Sequence, residues 1–230
     1  MSAPVDQSPR GTELLDDLTA NPTDIEVSLQ NIARSNFWFG GQAAVRFGVR
    51  QLLDGRRFDS LAVLDVGAGF GDVAADLVRV GRQQGIVVRP IGVERHPVAS
   101  RVAARRGLRT ILADGVALPL PDRSMDLVVI SQVAHHLTDQ QIAALAAEAT
   151  RVARLGVVLT DLKRSELAVL LFRVASRALG FDRATRRDGV TSVRRGFRRV
   201  QLETILRQGG RNVAVVERPF ARLVATWRTD

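Results

Sequence analysis

The stretch VLDVGAGFGD, residues 63–72, limits what this chain can fold into more than any other. A hydrophobic run ends in an acid, glycines fall at every second position, and a helical pattern, DVAADLVRVGRQQ, starts on the last acid. A strand, glycine loop and helix in that order bring backbone close to a ligand at the carboxyl end of the strand. The same rhythm continues to residue 161. LAVLDV, VVRPIGVE, LRTILAD, MDLVVIS and LGVVLTD read as short buried strands. PVASRVAARR and TDQQIAALAAEATRVA read as further helices, the second capped by Thr138 or Asp139. Alternation at this spacing predicts an α/β fold, a doubly wound and mostly parallel sheet with helices on both faces. Ligands of such sheets sit beyond the carboxyl ends of the strands. Asp65, Glu94, Asp114, Ser131 and Asp161 all fall there.

The flanks read differently. Residues 1–20 are expected to be mobile. NPTDIEVSLQNIARS reads as a helix, with Asn21 as N-cap, Pro22 at the first position, Asp24 in the first turn, and Ile25, Leu29 and Ile32 on one face. NFWFGG breaks it, and a second helix runs from about Gln42 to Leu53. After Asp161, SELAVLLFRVASRALG is a long apolar helix, FDRATRRDGVTSVRRGF a basic loop, and RRVQLETILRQGG a helix closing at glycine. RNVAVVERPFARLVATWR offers two strands around Pro219. Residues 21–230 are thus expected to form a single domain, with helices over 21–55, a core over 61–161, an insertion over 162–200 and a closing helix and strands over 201–230.

Composition narrows the function classes. Hydrophobic residues make up 46% of 230, enough for a sizeable core. No cysteine is present, which excludes disulfides, thiolate metal sites and a cysteine nucleophile. No apolar run approaches a membrane span, and the polar start MSAPVDQSPRGTELLDD lacks the apolar centre of a signal peptide, so a soluble cytoplasmic protein is expected. The net charge is +9, almost all from arginine, and residues 163–211 hold 13 basic residues against 4 acidic ones.

The glycine loop says which ligand it suits. A dinucleotide fingerprint is G-x-G-x-x-G, whereas Gly67, Gly69 and Gly71 give G-x-G-x-G. A phosphate loop is excluded because no Gly-Lys-Ser/Thr follows. Asp65 and Asp72 bracket the glycines with negative charge, which suits a cationic ligand rather than a phosphate. With VLDVGAGFGD, three further segments, GVERHP, ILADGVALPLPDRSMDLVVIS and LGVVLTDLKRS, resemble class I S-adenosylmethionine-dependent methyltransferases, in particular the small-molecule branch similar to the ubiquinone-biosynthesis type. The resemblance covers residues 36–165. It implies a Rossmann-like seven-stranded sheet, mostly parallel with the last strand antiparallel, N-terminal helices and a helical insertion after the fifth strand. It implies S-adenosyl-L-methionine as cofactor, held around Asp65, Gly67, Ala68, Gly69, Glu94, Arg95, Asp114, Gly115 and Ser131. Glu94 would accept from both ribose hydroxyls and Asp114 from the adenine amino group, with Gly115 or Val116 offering a backbone amide. Asp65 would support the cofactor's amino group or, alternatively, only brace the loop.

For the acceptor the resemblance points to SQVAHHL, just after the fourth strand. His135 and His136 are the candidate bases, with His135 nearer the donor, His136 the more buried, and only one of the two facing the pocket. His96 is expected to cap a helix or lie exposed. The run SQVA excludes the adenine-N6 type, and the missing glutamate pair excludes the arginine type. With Ser131 at one strand end and only Asp161 at the other, no metal is expected. Trp38, Phe39, Arg164 and Phe172 are the candidate acceptor-pocket residues, with Phe37, Phe181 and Phe197 as further aromatics, and an apolar aromatic lid suits a phenolic or polyketide-like small molecule. O-methyl transfer is favoured. An RNA methyltransferase using the basic stretch, and a homologue that binds cofactor without turnover, are the alternatives; nucleic acid is the less expected partner, and a homodimer is allowed.

Overall fold

The computed structural model describes residues 11–229. Seven strands form one sheet: β1 (Ser60–Val66), β2 (Val87–Glu94), β3 (Arg109–Leu112), β4 (Met125–Ser131), β5 (Ala153–Leu162), β6 (Ala214–Arg218) and β7 (Arg222–Arg228). Their order is β3-β2-β1-β4-β5-β7-β6. β1 to β5 are parallel, and β7 runs antiparallel between β5 and β6. The Rossmann-like arrangement expected from the sequence is the one found. The order reverses between β1 and β4, and the crevice outside their carboxyl ends is the natural ligand position in such a sheet.

The strand sequences explain the two-sided core. Val63, Leu127, Val129, Val158 and Val224 pack toward α2 (Gly41–Leu53) and α3 (Asp72–Gln83) on one face. Leu64, Val128, Ile130, Val157 and Leu223 pack toward α5 (Asp139–Val152) and α8 (Arg199–Leu206) on the other. Alternate residues of one strand point to opposite faces, so a strand buried on both faces reads as a continuous apolar run. Each fully buried Leu or Val adds about 1.5–3 kcal/mol relative to exposure.

α1 (Pro22–Trp38) begins where the sequence places it: the Asn21 side chain accepts from the Thr23 amide, and Pro22 opens the helix. It continues through NFW and ends only at Phe39–Gly40. α4 (Pro97–Arg105) is capped by His96, whose Nδ1 accepts from the Val98 amide. That fixes the proton on Nε2, which donates to the Asp17 carbonyl at 3.2 Å, and His96 is buried, not exposed.

One expectation fails. The basic segment after Gly180 is no loop: it forms α7 (Arg183–Arg195), capped by Asp182, and packs against α6 (Glu166–Ala178). Its helical period was hidden because charged residues fill six of its 13 positions, and its buried residues include Thr185 and Asp188 as well as Val193. From residue 11 the N-terminal reach packs against this helix. A 3₁₀ turn, Leu14–Asp16, is tied to α7 by the Leu14 amide donating to Asp188 and by Arg195 bridging Glu13 and Asp16. Residues 1–10 lie outside the described residues.

Candidate functional site

β1 delivers Asp65 to the crevice, and the glycine loop turns the chain into α3. Gly67 has φ +73°, and a Cβ there would stand 2.3 Å from Val133 Cγ2, so glycine is required on both counts. The amides of Gly67 and Ala68 donate back to the Val93 carbonyl at 2.8 and 3.2 Å. Glu94, at the end of β2, accepts from the Gly69 amide at 3.0 Å and the His96 amide at 2.9 Å. One carboxylate thereby holds the loop after β1 against the loop after β2.

Asp65 has a different situation. It is 2% exposed, and its Oδ2 has no hydrogen-bond partner among the described residues. Burial, then the neighbouring carboxylates of Asp72 and Glu94, push its pKa up to about 8, against the backbone amide of Ala74. Burial raises Asp72 as well. A buried unpartnered carboxyl oxygen among like charges, on the wall of an open crevice, is a receptor for a cation.

The cavity at this point encloses about 180 Å³, and the cofactor candidates Asp65, Gly67, Ala68, Gly69, Glu94, Arg95, Asp114, Gly115 and Ser131 all line it. Arg95 and Asp114 do so from exposed positions. The Asp114 carboxylate accepts from the Val116 amide at 3.1 Å, which shapes the turn after β3.

Beyond Ser131 lies the second half of the site. His135 and His136 sit in a single 3₁₀ turn, Ala134–His136, their ring centroids 4.3 Å apart and the planes tilted by 36°, and both line the crevice. The expectation that only one faces it is wrong, because the tight turn places successive rings side by side rather than on opposite sides. The burial order is also reversed: the His135 side chain is 3% exposed and that of His136 is 17% exposed. His135 Nδ1 lies 2.7 Å from Asp161 Oδ1 and His136 Nδ1 lies 2.7 Å from Asp16 Oδ1. An ionised carboxylate only accepts, so both Nδ1 atoms carry a proton, and in the neutral form of each ring Nε2 presents a lone pair. Those Nε2 atoms face Glu13, each 3.9 Å from one of its carboxylate oxygens.

The acids here have N–H partners, unlike the bare oxygen of Asp65. Burial acts to lower the His135 pKa, but the Asp161 carboxylate outweighs it and holds the imidazole above its ordinary value. Burial acts to raise Asp161, yet His135 and the amides of Leu162 and His135 hold it below the usual carboxylate range. Arg222 is buried behind Asp161, donates from Nε to the Phe39 carbonyl, and is pulled down to about 10 by burial.

A second cavity of about 810 Å³ opens beside the first. Glu13, Leu15, Ile32, Gln132 and Ser192 line both, so the two meet there. Gln132 is held at φ +58°, its amide bonded to the Thr160 carbonyl and its side chain to Asn36. Such a conformation in a non-glycine residue marks a constrained position. Phe39 and Phe172 line the larger cavity with rings 6.0 Å apart, and Phe181 and Phe220 join them.

Two acceptor-pocket candidates are not there. Trp38 is 57% exposed and stacks edge-on against Phe37 on the surface, because α1 continues through it and turns it outward. Arg164 lies outside the lining, its Nε donating to the Gly196 carbonyl between β5 and the end of α7. Phe197 belongs to the core behind the sheet. Missed from the sequence were Glu13 and Arg195, in segments read as mobile and as a loop, and Gln132, whose one signal is its place directly after Ser131 at a strand end.

Residues 63–156 match the family described as methyltransferase domain. Among solved structures, an S-adenosylmethionine-dependent methyltransferase from Aquifex aeolicus superposes with a TM-score of 0.62 at 18% identity, covering 91% of this chain and 99% of that one. At that identity the superposition shows the fold, and residues 63–156 carry the similarity to methyltransferase domains. The chain is also similar in sequence to curated methyltransferases. It is 32% identical over 145 residues to a probable S-adenosylmethionine-dependent methyltransferase of Mycolicibacterium smegmatis, covering 61% of this chain and 50% of the relative. It is 35% identical over 116 residues to a ubiquinone/menaquinone biosynthesis C-methyltransferase of Xanthomonas oryzae pv. oryzae, covering 48% and 45%. The chain spans half or less of the length of the curated relatives it matches. Among the described residues, no helix is long and apolar enough to cross a membrane.

Proposed function

We propose that this chain transfers a methyl group from S-adenosyl-L-methionine to a small lipophilic acceptor, with a phenolic or polyketide-like hydroxyl the favoured target. The observation that carries the reading is the meeting of two unlike cavities at Gln132, one acidic and glycine-walled, the other apolar and several times larger. The cofactor supplies a methyl group on a cationic sulfonium. The chain's own residues fit it: the unpartnered Oδ2 of Asp65 suits its ammonium, and Glu94 suits its ribose hydroxyls. Asp114 and the Gly115 amide suit the adenine ring.

On the acceptor side the chain positions and desolvates. Phe39, Phe172 and Phe181 offer apolar walls, and Leu167, Leu171 and Val174 rim the mouth while more than half exposed. That rim suits entry of a lipophilic molecule better than a polar one. The Nε2 atoms of His135 and His136, with Asp161 and Asp16 behind them, suit the proton of a hydroxyl, which favours O-methyl over C-methyl transfer. Arg195, the best buried arginine of these pairs, is used inside the fold by Glu13 and Asp16, while Arg194 with Glu166 and Arg187 with Asp188 pair at the surface. Pairing of these charges with acids of the chain itself weakens an RNA phosphate track and supports a small acceptor. Incubation with labelled cofactor and a panel of phenols, quinols and short polyketides tests the reading by mass spectrometry. Label on an acceptor oxygen is the expected result; label on tRNA or rRNA alone would sink it.

A further inference from the structure

The geometry points to a divalent transition-metal site formed by Glu13, His135 and His136. Two imidazole Nε2 atoms and one carboxylate converge so that their ligand atoms all lie within 4.8 Å of one another. Glu13 stands between the histidines, 3.9 Å from each Nε2. Ligands sharing an ion at roughly 2.0–2.2 Å sit about 3–3.5 Å apart, so the three need to close by about an ångström, a side-chain rotation. Two histidines and one carboxylate with open positions suit Fe(II), Zn(II) or Co(II) rather than magnesium or calcium.

The second ring of residues separates this cluster from a chance meeting of polar groups. Metal-binding histidines characteristically donate the other ring N–H to a carboxylate, which fixes the tautomer and makes the free nitrogen more basic. Both histidines here do so, His135 to Asp161 and His136 to Asp16, each at 2.7 Å. Glu13 is oriented as well, by Ser192 Oγ at 2.7 Å and Arg195 Nη1 at 3.0 Å. Asp161 in turn accepts from the Leu162 amide at 2.7 Å. Each histidine thus turns its Nε2 to the common centre, and the two Glu13 oxygens, held by Arg195 and Ser192, lie one beside each Nε2.

Charge favours a cation there. Glu13, Asp16 and Asp161 face Arg195 and Arg222, which leaves one negative charge when the imidazoles are neutral. A divalent ion brings the cluster to one positive charge, and an acceptor hydroxyl that has released its proton to solvent brings it to zero. That role for the ion rests on the methyl-transfer reading: the ion takes over from the imidazoles the lowering of the hydroxyl pKa. The site itself rests on geometry alone. The expectation of no metal considered only acids at strand ends, and Glu13 reaches the histidines from the other end of the chain.

The test uses untagged, chelator-treated full-length protein titrated with Co(II), read by visible absorption and calorimetry. Stoichiometric binding with ligand-field bands, weakened at least tenfold in both His136→Ala and Glu13→Gln, is expected. No stoichiometric binding to the unmutated protein, or binding that neither variant weakens, overturns the site. Should His136→Ala fail to fold, Glu13→Gln, which keeps the side-chain shape, decides. S-adenosylhomocysteine binding by the chelated protein, measured in parallel, keeps the metal question separate from the methyl-transfer reading.

Discussion

Asp65 and Asp161 are both aspartates, both near the carboxyl end of a buried strand, and almost equally inaccessible. Their surroundings drive them in opposite directions. Asp65 has two carboxylates for neighbours and a bare oxygen, and its pKa is pushed up to about 8. Asp161 has an imidazole, two backbone amides and a nearby guanidinium, and it is held below the usual range. Burial raises the carboxyl pKa in both, so the partners decide. The half of the site around Asp65 lacks a positive charge that a ligand can bring. The half around Asp161 gives its acids N–H partners, and these fix the direction of the histidine rings.

The sharpest way to break this contrast is Asp161→Ala. It removes the partner of His135 and leaves Arg222 buried without its carboxylate. The expected loss is about 3–5 kcal/mol of folding stability, read from the urea midpoint. A loss under about 1 kcal/mol would mean that the pair contributes far less than its geometry implies.

Asp65 gives the next effect, through pH. Its folded pKa is raised above the ordinary 3.8, so the folded chain holds a proton that the unfolded chain has released between roughly pH 4 and about 8. The associated stability is fully present below that window and is lost as pH rises through it. A cationic ligand needs the ionised form, so its affinity should rise toward tenfold per unit as pH approaches about 8. Calorimetry in buffers of different ionisation enthalpy should show proton release on binding, and Asp65→Asn should remove it. An affinity flat between about pH 6.5 and 8 would detach Asp65 from the ligand.

The smallest effects separate lining from surface. Phe172→Ala should raise the acceptor KM about tenfold, near 1.4 kcal/mol, and leave cofactor affinity unchanged. Trp38→Ala, outside the cavity, should change neither. Equal effects from the two would misplace the acceptor.

How much was legible in the sequence follows the same division. The glycine-walled crevice is built from consecutive strand–loop–helix units, so the spacing of Gly67, Glu94 and Asp114 placed them together on its lining. The larger cavity is assembled from α1, α6, α7 and the turn at Leu14–Asp16, which meet only in three dimensions. Glu13 lies 122 residues before His135. Its role comes from Arg195, which sits in a helix that reads as a loop because its buried residues are small or polar. Trp38 was misplaced because a helix expected to stop at NFW continues for another turn. The histidine pair was found, but its 3₁₀ turn, which lets both rings face one centre, left no periodic signal.

The central claim is that the acidic glycine-walled crevice holds S-adenosyl-L-methionine through Glu94. Calorimetric titration with S-adenosylhomocysteine addresses it directly. One site per chain is predicted, weakened at least tenfold by Glu94→Ala, which loses the ribose contacts and the carboxylate that accepts from Gly69 and His96. Absence of binding to the unmutated protein, or an affinity indifferent to Glu94→Ala, would contradict it.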